Sequence, residues 1–122
     1  MFIGASIRAL DAQGKITLPR SFLKEAGKTS VVMSPLVDDR VAVWPISEFE
    51  QIVYRFNTMG LTQTARGLIF RALFSKAEQT KADHMGRIQI PSGLREYAHL
   101  TEDVLLLGMV NRFELWNPKG FN

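Results

Sequence analysis

The chain has 122 residues, of which 46% are hydrophobic and 22% are charged, and its formal net charge is +3. This composition and length predict a single folded domain. The absence of cysteine excludes disulfides and thiolate metal sites. No apolar run approaches the ~20 residues of a membrane span, and Met1 does not open a signal peptide, so we expect a cytoplasmic protein without a membrane partner.

The first predicted elements are two strands joined by a tight turn. Residues 2–10 alternate as a strand does. A turn is expected at Asp11–Gly14, because an aspartate accepts hydrogen bonds from nearby backbone N–H groups and Gly14 supplies a positive φ. The next strand runs from Lys15 to Leu18, where polar and apolar residues again alternate.

A short helix and another strand pair are predicted next. Pro19 ends the second strand and opens a helix over Arg20–Ala26, for which Gly27 is a natural C-terminal cap. Two further strands, Val31–Ser34 and Arg40–Trp44, flank a turn.

Residues 46–74 predict a helical hairpin. Ser47 and Glu50 have the spacing of a capping box, and the apolar residues that follow lie on one helical face. Met59-Gly60 interrupts this pattern, and a second amphipathic helix begins near Thr62.

The turn and its following strand occur twice in the sequence. Asp83-His84-Met85-Gly86-Arg87-Ile88-Gln89-Ile90-Pro91 matches residues 11–19 at an offset of 72, and the ungapped match extends over some 35 residues, to Trp44 and Trp116. We interpret the chain as an internal duplication, with repeats at about 5–45 and 77–117 around the hairpin. Each repeat is too short to bury a core alone, so the two are expected to share one. The paired tryptophans are expected in that core or at an interface.

Each turn places a cation four residues after its aspartate, Lys15 after Asp11 and Arg87 after Asp83. A structural hairpin with a weak surface ion pair explains one such turn by itself. Positive charge nevertheless gathers around both turns: segment 8–24 is net +3 and segment 76–95 is net +2, so the remainder is net negative. Such a distribution favours a phosphate-bearing partner.

The two motifs, together with Met1-Phe2-Ile3-Gly4-Ala5 and the run from Leu107 to Trp116, resemble the MraZ transcriptional regulators of the AbrB-like superfamily. That family carries two D-x-x-x-R motifs, and Lys15 departs from the usual arginine. The resemblance implies an α+β, mainly β fold, a duplicated double-split β-barrel with short helices. It also implies ring-like homo-oligomers, of the octamer or dodecamer class, that bind repeated double-stranded DNA sites in the promoter of a cell-division and cell-wall gene cluster, hence a nucleoid location.

We therefore expect a DNA-binding regulator in which Asp11 and Asp83 orient the basic side chains, Gly14 and Gly86 shape the turns, and cations contact the duplex. The expected DNA contacts are Lys15, Arg87, Arg8, Arg20, Lys81 and Arg95. The alternative is a protein-interaction or scaffold module that does not bind nucleic acid. No catalytic motif, cofactor loop or metal-ligand spacing occurs in the sequence, so we expect no enzyme, cofactor or metal.

Overall fold

The computed structural model describes residues 1–120 and shows an α+β fold that is mainly β. The strands are β1 (Ala5–Ala9), β2 (Lys15–Thr17), β3 (Val31–Leu36), β4 (Arg40–Pro45), β5 (Glu78–Thr80), β6 (Arg87–Gln89), β7 (Asp103–Gly108) and β8 (Phe113–Trp116). The α-helices are α1 (Arg20–Ala26), α2 (Ile46–Asn57), α3 (Gln63–Ile69) and α4 (Ser92–Tyr97). A π-helical turn, Phe70–Phe74, continues α3, and a 3-10 turn lies at Pro118–Gly120.

Six strands form one antiparallel sheet in the order β1-β7-β8-β4-β3-β5, while β2 and β6 form a separate two-stranded ribbon. In the described part of the chain no pairing joins the edge strands β1 and β5, so the sheet is not closed into a barrel. Strands from the two halves pair with each other at four places: β1 pairs with β7, β3 with β5, β4 with β8 and β2 with β6. Neither half therefore completes its sheet without the other.

The core lies between the ribbon and the sheet. Ile16 of β2 and Ile88 of β6 are fully buried and belong to the same apolar cluster as the inner side chains of the sheet. Phe2, Phe22 and Phe113 pack their rings together, with centroids 5.0 to 5.4 Å apart. Because Ile16 and Ile88 face this core, the opposite face of the ribbon is exposed to solvent.

The sheet face opposite the core holds a second contact between the halves. The Arg40 guanidinium lies 4.8 Å from the centre of the Trp116 ring, and that of Arg112 lies 5.0 Å from the Trp44 ring. The buried Glu114 carboxylate accepts hydrogen bonds from Arg40 Nη1 at 3.1 Å and Trp116 Nε1 at 3.0 Å. Both tryptophans are half-buried, and the arginine over each ring comes from the other half of the chain.

The helical segment between β4 and β5 is held together by phenylalanines. Phe56 contacts Phe70 and Phe74 edge to face, and Phe49 contacts Phe74 in the same way. Within residues 1–120, no helix is both long enough and apolar enough to cross a bilayer.

Three local predictions need correction. The first strand begins at Ala5, because Gly4 has a φ of +90° and Phe2 makes an isolated bridge to Val110. The capping box is wrong, since α2 already begins at Ile46 after Pro45 and has no side-chain cap.

The third correction concerns the end of α1. Gly27 does follow this helix, and its N–H donates to the Leu23 carbonyl, but its φ of −78° is right-handed. The helix therefore ends without the left-handed conformation for which glycine is usually chosen.

Candidate nucleic-acid interface

The β2–β6 ribbon presents four polar side chains on one surface. Lys15 is paired with Gln89 and Thr17 with Arg87, on either side of the buried Ile16–Ile88 pair. Because side chains alternate along a strand, Lys15, Thr17, Arg87 and Gln89 all project from the side opposite the isoleucines. We call these four residues the outer ribbon face.

The two turns that precede β2 and β6 have the same hydrogen bonds. Asp11 Oδ1 accepts from the backbone N–H of Gln13 at 2.8 Å and of Lys15 at 2.9 Å. Asp83 Oδ1 accepts from Met85 and Arg87 in the same way, both at 2.9 Å. Each aspartate thus fixes the backbone of its turn, as expected for an Asp that begins a tight turn.

The glycines complete the turns and join them to the opposite strand. Gly14 and Gly86 have φ values of +82° and +77°, a backbone conformation that residues with a Cβ rarely adopt. The Gly86 carbonyl accepts from the Leu18 N–H, and the Gly14 carbonyl accepts from the Ile90 N–H, both at 2.9 Å. The positions of the two turns are therefore tied to each other through the ribbon.

The acidic and basic side chains of the turns pair across the ribbon. Lys15 Nζ lies 3.6 Å from Asp83 Oδ2, which belongs to the other turn. Arg87 Nε donates to Asp83 Oδ2 at 3.0 Å, and Arg87 Nη1 lies 3.6 Å from Asp11 Oδ2. We call Asp11, Lys15, Asp83 and Arg87 the turn cluster; all four side chains are about one quarter to one third exposed.

Both carboxyl groups are held in the ionised form. The backbone N–H of Arg87 lowers the pKa of Asp83 to about 2 from an ordinary 3.8, helped by the Met85 N–H and the Arg87 guanidinium, and opposed by partial desolvation. The backbone N–H of Lys15 likewise lowers the pKa of Asp11. At neutral pH the turn cluster therefore contains two anions and two cations, and its formal charge is zero.

Different side chains cover the two glycines. A Cβ at Gly14 would lie 2.7 Å from Cζ of Arg95, whereas a Cβ at Gly86 would lie 2.8 Å from Cδ2 of Leu23. Arg95 and Leu23 occupy equivalent positions at the 72-residue offset. The first turn is thus covered by a cation and the second by an apolar side chain.

The remaining predicted cations lie in different places. Arg20 and Lys81 are exposed, and their side chains make no hydrogen bond or ion pair among the described residues. Arg95 also lacks an acidic partner there, and its Nε is buried without a hydrogen bond. Arg8 lies in β1 and donates to Ser6 Oγ at 3.2 Å, so the structure does not join it to the turn cluster.

Sequence reasoning did not select three residues of this surface. Thr17 and Gln89 lie on the outer ribbon face, and Gln89 Nε2 donates to the Gln13 carbonyl at 2.7 Å. Met85 is exposed at the second turn. The polar–apolar alternation of β2 and β6 predicted which side chains face outward, and this signal was sufficient to include Thr17 and Gln89.

The cationic and amide side chains of this surface can donate hydrogen bonds to an anion or to another polar group. Among residues 1–120, Arg87 Nη2 makes no hydrogen bond, and Arg20, Lys81 and Arg95 have no acidic partner, so they add positive charge that the neutral turn cluster does not supply. Over the same residues, no three His, Asp or Glu side chains come together as a metal site.

A mainly β chain with two matched Asp-based turns, each followed by a cation, is consistent with the AbrB-like class of fold. The family model described as "MraZ protein, putative antitoxin-like" matches residues 1–71 and 73–122. The chain belongs to the MraZ family, which confirms the resemblance inferred from the two motifs.

Curated relatives match nearly the whole chain. A protein of Halothermothrix orenii is 35% identical over 98% of this chain and 82% of its own length. One from Natranaerobius thermophilus is 33% identical over the same shares, and one from Syntrophobacter fumaroxidans is 35% identical over 95% of this chain and 79% of its own length. All three bear the name "Transcriptional regulator MraZ".

Proposed function

We propose that this chain is a transcription regulator that binds double-stranded DNA through the outer ribbon face and its two turns. The observation that carries the proposal is the cross-paired turn cluster, which holds Lys15 and Arg87 at the surface by ion pairs to Asp83 and Asp11. The names of the relatives support the same function.

Two sets of residues have different electrostatic roles in this proposal. The turn cluster is formally neutral, so it orients its cations without attracting DNA over a distance. Arg20, Lys81 and Arg95 have no acidic partner among the described residues and supply the attraction to phosphates. Arg87 is the candidate for contact with a base edge, because a guanidinium matches guanine O6 and N7.

Several copies are needed for useful affinity, because one chain offers few phosphate contacts. We propose a homo-oligomer that occupies repeated promoter sites, with the ring form and the cell-division and cell-wall target genes taken from the family resemblance. The two internal repeats would then give each subunit two related turns for DNA. Exposed apolar residues of the helical segment, Tyr54, Leu68 and Leu73, support a contact between subunits. Light scattering at micromolar concentration tests this point, and a monomer would contradict it.

The DNA proposal is tested by selecting bound duplexes from a random pool and titrating the selected and a scrambled duplex at two salt concentrations. We expect preference for the selected duplex and an affinity that falls with salt. Arg87→Ala should weaken binding while leaving the thermal midpoint nearly unchanged, since a partly exposed ion pair contributes about 0–1 kcal/mol. Absence of duplex binding at low salt would favour a protein-interaction module instead.

A further inference from the structure

The two turns have the same backbone hydrogen bonds but present different side chains to a partner. Position 13 of the first turn is glutamine, and the equivalent position 85 of the second is methionine. Both residues donate their N–H to Oδ1 of the turn's aspartate, at 2.8 and 2.9 Å. Because the same backbone accepts glutamine at the first turn, the fold does not require methionine at the second.

The surface of the second turn is apolar beyond what the fold requires. Met85 is 61% exposed, and the methyl groups of Leu23 lie against Gly86 beside it. At the first turn these two positions are taken by Gln13 and by Arg95, whose guanidinium lies against Gly14. The second turn therefore presents two apolar groups where the first presents two polar ones.

The identity of the partner group follows from the chemistry of the DNA major groove. Most groups on a base edge there are hydrogen-bond donors or acceptors, and the apolar exception is the C5-methyl group of thymine. Phosphates are charged, and the CH groups of deoxyribose are the same in every nucleotide, so contacts to either would give methionine no sequence preference. A thioether side chain is flexible and polarizable, so it packs well against a methyl group.

We propose that Met85 is a specificity-determining residue that packs against a thymine C5-methyl group next to the base or phosphate contacted by Arg87. The inference rests on the proposed DNA-binding function and makes the two turns of one subunit different. The second turn selects sequence through an apolar contact, whereas Gln13, Lys15 and Arg95 give the first turn a polar and cationic surface.

The test uses duplexes selected by the wild-type protein, in which each thymine is replaced in turn by deoxyuridine. This change removes the methyl group and keeps every hydrogen-bonding group. We expect one thymine per site at which the replacement weakens wild-type binding about fourfold, the value of one buried carbon group. Met85→Gln, which copies the residue of the first turn, should bind the thymine and deoxyuridine duplexes equally.

Met59→Gln is the matched control, because Met59 is 63% exposed at the turn after α2. It should keep the full methyl dependence of the wild type. Matching thermal midpoints of the three proteins would show that the variants fold alike.

Three results would overturn the inference. Wild-type binding that is sequence-specific but indifferent to every methyl group, or a methyl dependence that survives in Met85→Gln, would refute it alone. A wild-type protein that does not bind duplex DNA would refute the proposed function as well, and the titration of the selected duplex separates these cases.

Discussion

Lys15 forms its ion pair with Asp83, a residue of the opposite turn, at a distance of 3.6 Å. The aspartate of its own turn, Asp11, pairs instead with Arg87. Arg87 also donates to Asp83 of its own turn at 3.0 Å, so Asp83 contacts both cations and the side chains of the two turns are coupled. A substitution at one turn should therefore change the side-chain positions at both turns, which would not happen in two independent hairpins.

Lys15 should contact phosphate, because an ammonium group is a point donor without the planar fork suited to a base edge. Lys15→Ala is expected to weaken binding to all sequences and to reduce the log–log salt slope by about 1 for each phosphate that is no longer neutralised. Lys15→Arg should change affinity little and sequence preference hardly at all. Titrations on selected and scrambled duplexes at several salt concentrations measure both effects.

Lys28→Ala is the charge-matched control for this series, since Lys28 is exposed just beyond the end of α1. A sharper preference at one position in Lys15→Arg, with a gain of roughly 1–3 kcal/mol, would mean that residue 15 contacts a base. If Lys15→Ala kept wild-type affinity at every salt concentration, the first turn would not contact DNA at this residue.

Asp83 is expected to assist DNA binding although its charge repels phosphate. Asp83→Asn keeps an oxygen that can accept from the Met85 and Arg87 N–H groups, whereas Asp83→Ala removes both the charge and these hydrogen bonds. Binding should therefore be weaker in the alanine variant than in the asparagine variant. Tighter binding by Asp83→Ala would show that repulsion dominates, and the orienting role of Asp83 would be wrong.

The local sequence predicted more of the turns than of their mutual contacts. The bounds of α1, Arg20–Ala26, were predicted from Pro19 before the helix and Gly27 after it, which are signals confined to a few residues, although Gly27 does not adopt the expected left-handed conformation. The hydrogen bonds of Asp11 and Asp83 are likewise local. The Lys15–Asp83 pair joins residues that are distant in sequence, and it exists only because β2 pairs with β6.

The covering of the glycines could not be predicted for the same reason. Leu23 follows the first turn in sequence but packs on Gly86 of the second, and Arg95 packs on Gly14 of the first. Only the exchange of strands between the halves produces this crossing. The capping box at Ser47 failed differently, because Pro45 provided an earlier start for α2 and so overrode a correct local spacing.

Acid should reveal the contribution of Asp83 to stability. Its folded-state pKa of about 2 lies below the ordinary 3.8, so the unfolded chain binds more protons between these values and stability falls as pH falls. The free energy of unfolding of the wild type minus that of Asp83→Asn should be constant above about pH 5 and shrink towards pH 2. Denaturant unfolding of both proteins over this range gives the difference, from which the other carboxyl groups largely cancel. A difference that grows on acidification would contradict the lowered pKa.

Replacing each turn glycine with alanine should show how much the backbone conformation of the turns contributes to stability. Gly14→Ala and Gly86→Ala should each reduce stability by about 1–2 kcal/mol, because both positions have a positive φ. Gly93→Ala is the control, since a Cβ there meets open space in α4 and should stabilise by roughly 0.5–1 kcal/mol. Denaturant unfolding measures all three.

The two turn variants should differ in DNA binding under conditions where both are folded. The new methyl group in Gly14→Ala must displace the Arg95 guanidinium, whereas that in Gly86→Ala presses on Leu23. If Arg95 contacts phosphate, Gly14→Ala should lower affinity on every duplex and flatten the salt slope, as Arg95→Ala would do. Gly86→Ala should instead alter sequence preference, because it disturbs the turn that carries Met85. Equal effects of both variants on scrambled and selected duplexes would argue against different roles for the two turns.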